Sequence, residues 1–345
     1  MRKPVNITVL MPVYNAAGYI RTAMDSILEQ SYRAFEFLII DDGSTDGTGD
    51  LIRAYADSRI RLIRHEQNQG LRHSLNEGIA LASGRLIARM DADDQSHPWR
   101  LDKQMAYMEA HPDCAMVDSW VNLMDKEGRF LKKDGGYGRY VYYNLHFECC
   151  IYHSAIMFRK EMVQRIGGYQ LPFAEDYDLF LRLSRVYKIH TLEEPLLWYR
   201  VHDTNLNTVG KKKEYDTFTA AVLKQNVQAL LGPAAAVPAA YWACYRYDMA
   251  PILALNSLAA CKQCITLLDA FSRQILLTEN PNRNTRDIRY MWAFKKKLIV
   301  QELASRLPLM KRMSLLWFCK WPGLTFSIFF NRIKRPHAVT RSYTR

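Results

Sequence analysis

Apolar and polar positions alternate between two rhythms along the first half of the chain. Residues 7–15 form a short apolar run interrupted by Pro12, and the apolar positions then move to a helical spacing at Ile20, Ala23, Met24, Ile27 and Leu28. Residues 35–40 are again continuously apolar, and they stop at Asp41-Asp42-Gly43-Ser44-Thr45-Asp46. Gly43 permits a tight turn there, and Ser44 is a natural N-cap for a helix through Leu51, Ile52 and Tyr55. Residues 60–63 predict a third strand, 71–81 a helix closed by Gly84, and 85–91 a fourth strand. Strands alternating with helices over this length imply right-handed crossovers and a parallel sheet, whose strand tips converge on one edge. That places Tyr14, Asp41, Asp42, Asp91 and Asp93 on one lip, where open α/β sheets bind their ligands.

The fourth strand ends in Asp91-Ala92-Asp93-Asp94. Carboxylates this close repel one another, and a hard divalent cation that grips a diphosphate is the simplest means of keeping them ionised together. Beyond it, Leu101, Met105 and Met108 predict a helix after Pro98, and residues 115–123 a strand. Residues 125–138, rich in Lys and Gly, read as a loop that is either a flap on the acceptor side or an inert surface segment. A strand over 154–158 precedes Gly167-Gly168-Tyr169. Glu175-Asp176-Tyr177-Asp178 then opens an amphipathic helix with Leu179, Leu183 and Val186. Acids in a first helical turn need no more explanation than the helix dipole. A last strand over 196–202 carries His202 at its end.

Composition changes the picture mainly for the tail. The net charge of +12 is uneven: residues 1–210 carry 25 Lys/Arg against 28 Asp/Glu, and residues 211–345 carry 22 against 7. Residues 211–231 and 252–277 are helical by period, separated by Gly232-Pro233 and Pro238. Residues 315–330 are apolar and aromatic but interrupted by Lys320, Pro322 and Gly323, too broken for a spanning helix, which needs about 20 apolar residues. With Lys311-Arg312 before it and Arg332-x-Lys334-Arg335 after it, this segment predicts an in-plane contact with an anionic membrane surface. Nucleic acid is not an expected partner, since no recognition module accompanies the charge. Seven cysteines without a paired framework and the lack of an apolar leader predict a reducing, cytoplasmic compartment; Cys261-x-x-Cys264 reads as buried core thiols.

In order and spacing, Pro12-Val13-Tyr14-Asn15, Asp41-Asp42-Gly43-Ser44-Thr45-Asp46, Asn68-x-Gly70, Asn76-x-Gly78 with Gly84, Asp91-x-Asp93-Asp94, Gly167-Gly168-Tyr169, Glu175-Asp176-Tyr177-Asp178 and Tyr199-Arg200-x-His202 resemble the inverting glycosyltransferases of family 2. The likeness covers roughly residues 6–205. It implies an α/β, GT-A fold, Rossmann-like with a mostly parallel central sheet and flanking helices, followed by a helical C-terminal region. The catalytic domain would span residues 1–210, with a nucleotide half of about 1–98 and an acceptor half of about 99–210; residues 211–345 would form the basic, helical, membrane-associating region.

The resemblance also implies roles. Tyr14 would pack on the nucleotide base with Pro12 in the nucleotide-sugar site, Asp42 with Asp41 beside it would contact uridine, and Asp91 would bind ribose or phosphate. Asp93 and His202 would ligate Mg2+ or Mn2+, Arg72 would place a positive charge near the nucleotide, Glu175 would orient donor hydroxyls, and Asp176 would be the general base. The expected reaction is transfer of a sugar from a UDP-sugar to a hydroxyl of a glycan acceptor, held on a lipid, in cell-surface polysaccharide synthesis. The expected location is peripheral, on the cytoplasmic face of the inner membrane. A catalytically silent nucleotide-sugar-binding scaffold is the competing reading, and intact Asp93, Asp176 and His202 argue against it. A sugar nucleotidyltransferase should show a Gly-rich loop after the first strand, where Pro12-Val13-Tyr14-Asn15 stands instead.

Overall fold

The computed structural model describes residues 5–202 and 212–320. Among these, one compact unit comprises residues 5–141, 150–202 and 212–219, and a second comprises 142–149 and 220–320. In chain order the first unit runs β1 (Ile7–Val13), α1 (Ile20–Leu28), β2 (Phe35–Asp41), α2 (Thr48–Arg53), β3 (Ile60–Arg64), α3 (Leu71–Leu81), β4 (Leu86–Arg89), β5 (Gln95–Ser96), α4 (Arg100–Ala110), β6 (Cys114–Met124) and β7 (Phe130–Asp134). After α5 (Val141–Leu145), which begins where the chain passes to the second unit, come β8 (Met157–Arg159), α6 (Lys160–Arg165), α7 (Glu175–Val186) and β9 (Lys188–Arg200).

The strands form one mixed sheet in the order β3-β2-β1-β4-β8-β6-β9-β5, with β7 paired to β6. β3, β2, β1 and β4 are mutually parallel, and so are β6 and β9. β8 runs antiparallel to both β4 and β6 and joins the two parallel blocks. Every residue of β1 and β2 is buried, as central strands covered on both faces require. On one face Ile7, Val9, Met11 and Val13 pack with α1 and α4 through Ile20, Met24, Ile27, Leu101, Met105 and Met108. On the other face α3 lies so close that a Cβ at Gly78 would sit 2.2 Å from Leu10 Cδ1, which accounts for the glycine in Asn76-x-Gly78.

Four local expectations change. Pro12 stays inside β1 in register with Ile40, because β4 pairs only with residues 7–10 and Pro12 lies beyond that ladder. Ser44 does not cap α2: Gly47, at φ 89°, holds that position, while Ser44 Oγ accepts the Asn15 N–H at 3.0 Å. Residues 125–138 are not wholly loop, since the exposed β7 within them pairs with β6 as an edge hairpin; its lysines hid the strand signal. The helix expected over 252–277 is two, α10 (Ala250–Ala254) and α11 (Leu258–Leu277), parted at Asn256, φ 45°, with Ser257 capping α11.

The second unit also holds most of α8 (Lys212–Leu231), with α9 (Ala239–Tyr245), α12 (Thr285–Arg306) and α13 (Leu309–Phe318). Its core gathers Tyr143, Phe147, Tyr245 and Phe271, with the Phe147 and Phe271 rings edge-on at 5.3 Å and Tyr143 Oη 2.8 Å from Ser272 Oγ. Lys295 is fully buried there, its ammonium donating to Tyr245 O at 3.0 Å and lying 4.9 Å and 4.7 Å from the Phe147 and Tyr247 ring centres, which offsets the cost of burying it. Cys261 and Cys264 are buried free thiols on α11. The expected in-plane segment lies outside the described residues beyond position 320, as do its flanking bases Arg332, Lys334 and Arg335.

Candidate active site

Tyr14, just past β1, is exposed, whereas Pro12 is buried within the strand. At the tip of β2 the two neighbouring aspartates part ways. Asp41 is fully buried; its Oδ1 accepts the Ser44 N–H at 3.0 Å and its Oδ2 lies 3.4 Å from Arg64 Nε, so it shapes the turn. Asp42 faces the loop after β3. Its Oδ1 accepts from Gln69 N at 2.9 Å and pairs with His65 Nδ1 at 2.7 Å, and its Oδ2 accepts from Gly70 N at 2.9 Å. Burial alone would raise the Asp42 pKa, but these donors outweigh it and leave it lowered. Gly43, at φ 76°, makes the turn possible; a Cβ there would sit 2.7 Å from the Gln67 carbonyl carbon.

The tip of β4 is built oppositely. Asp91, Asp93 and Asp94 each offer an oxygen within 4.8 Å of the others. Asp93 Oδ2 lies 2.9 Å from His202 Nε2, so strand β9 delivers the histidine to the triplet. Arg200 anchors that delivery, with its N–H donating to Asp94 Oδ1 at 2.8 Å and its Nε to Asp93 O at 2.7 Å. Its guanidinium also covers Tyr19, whose ring stacks on His202. Asp94 Oδ2 is buried without a hydrogen-bond partner. Burial, and then the neighbouring acids, push Asp94 well above the usual carboxylate range; Asp91 rises too, through burial, against the pull of Arg89. A crowded set of oxygens with one imidazole, short of cations and with one oxygen orphaned, fits a hard divalent ion such as Mg2+ or Mn2+.

Arg89, buried at the end of β4, ion-pairs with Asp91, and its charge also acts on the acids at the start of α7. There Ala174 adopts a left-handed conformation, φ 52°, which presents Glu175 and Asp176 at the head of the helix. Asp176 stays partly accessible, and its Oδ1 accepts the Tyr177 N–H at 2.7 Å. Its pKa is raised by burial against that bond and Arg89, with the Asp91 charge adding to the rise. Burial first, then the Asp176 charge, takes Glu175 up to about 8. Asp178 is occupied elsewhere, holding Arg182 at 2.6 Å so that Arg182 can donate to Ile166 O and Gly168 O at 2.8 Å and 2.7 Å.

The Gly167-Gly168-Tyr169 turn is held against α3. Asn76 clasps it from α3, accepting the Tyr169 N–H at 2.9 Å and donating to Tyr169 O at 2.8 Å, while Arg72 donates to Gln170 O at 3.2 Å. Tyr169 Oη then meets His153 Nε2 at 2.7 Å, and His153 Nδ1 stands 4.0 Å from Glu175. Burial and then Arg89 hold His153 neutral. The structure therefore gathers Asp91, Asp93 and His202, and brings the charge of Asp91 to bear on Glu175 and Asp176. Arg89, His153 and His65 escaped the sequence reading. Arg89 had one visible signal, a cation inside an otherwise apolar strand.

Residues 8–167 match the profile of glycosyl transferase family 2. An uncharacterized glycosyltransferase of Methanocaldococcus jannaschii is 32% identical over 231 residues, 64% of this chain and 79% of the relative. The O-antigen biosynthesis glycosyltransferase WbnJ of Escherichia coli is 34% identical over 209 residues, 57% of this chain and 80% of the relative. Among solved structures, S. aureus TarS 1-349 in complex with UDP-GlcNAc shares the fold with a TM-score of 0.55 at 13% identity, over 97% of this chain and 95% of that one. A Pyrobaculum calidifontis mannosyltransferase in complex with GDP-Man and Mn2+ shares it with a TM-score of 0.51 at 18% identity, over 95% and 88%.

Proposed function

This chain belongs to glycosyl transferase family 2, and from that premise we propose that it is a metal-dependent, inverting enzyme carrying a sugar from a UDP-sugar to a hydroxyl of a lipid-held glycan during cell-surface polysaccharide synthesis. The observation that supports the reading is the cluster of Asp91, Asp93 and Asp94 with His202 at the tip of β4, together with the charges of Arg89 and Asp91 acting on Asp176.

On this reading Tyr14 packs on the base, Asp42 accepts from the uracil, and Arg72 lies near the phosphates. Asp91 contacts ribose or phosphate, and Asp93 with His202 would hold Mg2+ or Mn2+, which would supply positive charge to the departing diphosphate. Asp176 takes the proton of the acceptor hydroxyl as its oxygen bonds to the anomeric carbon. The bond from that carbon to the UDP oxygen breaks on the opposite face, and configuration inverts in a single displacement. A raised pKa makes Asp176 a stronger base than an ordinary carboxylate. Neutral His153 and Arg89 position Glu175, which orients donor hydroxyls. Asp41 supports the loop that carries Asp42.

The catalytic domain of this reading is residues 1–210. The acceptor is held on the cytoplasmic face of the inner membrane, and support for that comes from α13. Leu309, Met313 and Trp317, one turn apart, are exposed, as are Phe318 and Met310, the latter at 81%. The helix carries Lys311 and Arg312 and no acid. No helix among the described residues is long and apolar enough to cross a membrane, so α13 would lie in the interface. Replacing Met310 and Trp317 together by Glu should cut co-sedimentation with phosphatidylglycerol vesicles severalfold; unchanged sedimentation would remove the lipid surface from the reading.

The reaction itself is tested by incubating the protein with a panel of UDP-sugars, GDP-mannose included as a control, with and without EDTA. Consumption of a UDP-sugar that EDTA stops supports it. No consumption of any donor with an extracted lipid-linked acceptor would leave a binding scaffold.

A further inference from the structure

His65 offers both ring nitrogens to acids: Nδ1 to Asp42 Oδ1 at 2.7 Å and Nε2 to Glu77 Oε2 at 2.6 Å. Ionised carboxylates only accept, so satisfying both bonds requires a proton on each nitrogen, an imidazolium. The charged groups facing the ring are Asp42 from the end of β2 and Glu77 from α3; the His73 ring, also on α3, stands edge-on with centroids 5.4 Å apart. Burial opposes the charge, but the bonds and charges of the two acids prevail and raise the His65 pKa. His65 is itself buried, so this cation belongs to the interior of the lobe.

Asp42 consequently has little freedom. A carboxylate has about four acceptor positions. Oδ1 takes His65 and Gln69, and Oδ2 takes Gly70, which leaves Oδ2 one more. A group whose pKa is lowered accepts and does not donate. Uracil and thymine present a ring N–H to such an acceptor; the ring N3 of cytosine is itself an acceptor. We propose that His65, tied to α3 through Glu77, is a positioning residue that holds Asp42 as an acceptor and so selects, among pyrimidine nucleotides, those whose base carries a ring N3–H. This rests on the placement of uridine at Asp42 in the proposed function and adds the device that enforces it.

The test uses the full chain and isothermal titration with UDP, dTDP, CDP and ADP. His65→Asn keeps an amide N–H near the Nδ1 position, and His65→Gln keeps one near Nε2. UDP should bind about 10- to 100-fold more weakly to His65→Gln, the range of one hydrogen bond to a charged group. His65→Asn should recover most of that loss, and the loss should fall on the donor KM and not on kcat. Wild-type UDP affinity should weaken as pH rises through a His65 pKa above the ordinary 6.5, and the Asn variant should lack that slope. CDP should bind wild type more weakly than UDP by a similar factor.

Equal UDP binding by His65→Gln and wild type would overturn the proposal and leave the glycosyltransferase reading intact, and so would equal binding of CDP and UDP. UDP affinity that Zn2+ raises in wild type but not in His73→Ala would overturn it too, by giving Nε2 to a metal shared with His73 and Glu77. Failure of wild type to bind any nucleoside diphosphate would defeat both readings together.

Discussion

Two acidic strand tips in the same sheet have been given opposite electrostatics. At β2, three donors from His65, Gln69 and Gly70 hold Asp42 ionised below its ordinary range. At β4 and at the head of α7, Asp91, Asp94, Glu175 and Asp176 are all raised, because burial and the charges of neighbouring acids outweigh the pull of Arg89 and the hydrogen bonds they accept. Where the protein supplies the donors itself, the acid is finished as a binding group. Where the donors present do not offset burial and mutual charge, the acids stay above their ordinary range, ready to take a proton or an outside cation.

The sharpest way to break this contrast is Asp176→Asn. Turnover should fall by about 10² to 10⁴-fold while UDP binding by titration calorimetry stays within about twofold; wild-type turnover in the variant would remove Asp176 as base. Next in size, Asp93→Ala should weaken UDP binding about tenfold with Mn2+ present and change it little in EDTA, whereas Asp42→Asn should weaken it in both conditions. Identical metal dependence in the two variants would erase the distinction between the tips.

The pH profile sharpens it further. Because the Asp176 pKa is raised, kcat should be lost as pH falls through a value above the ordinary 3.8, higher than an unperturbed aspartate would give. Smallest is a stability effect at Glu175. Its folded pKa of about 8 exceeds the ordinary 4.5, so between those values the folded state holds the proton and the unfolded state does not. Stability therefore falls as pH rises across that window. Glu175→Gln should melt several degrees above wild type at pH 8 and close to it at pH 4; equal melting temperatures at both would mean Glu175 ionises normally.

Much of this site was legible before folding was considered. Buried strands ending in acids are visible as runs such as residues 35–42 and 86–94, because the pattern is local. The roles of the two tips were not legible. Asp41 and Asp42 are neighbours with the same side chain, yet one is turned inward to Ser44 and Arg64 and the other outward to a loop 27 residues away. Likewise Asp178 looked equivalent to Asp176 until Arg182 claimed it.

The sequence alone determined the alternation of strands and helices through residues 7–91, the strand-tip positions of the acids and the basic excess of the tail, since periodicity and composition act over a few residues. Only the tertiary structure decided which acids are satisfied and which are left short. Partners such as Arg200 for Asp94, His202 for Asp93, and Asn76 for Tyr169 lie 93 to 109 positions apart, and their pairing depends on where β8 and β9 insert into the sheet.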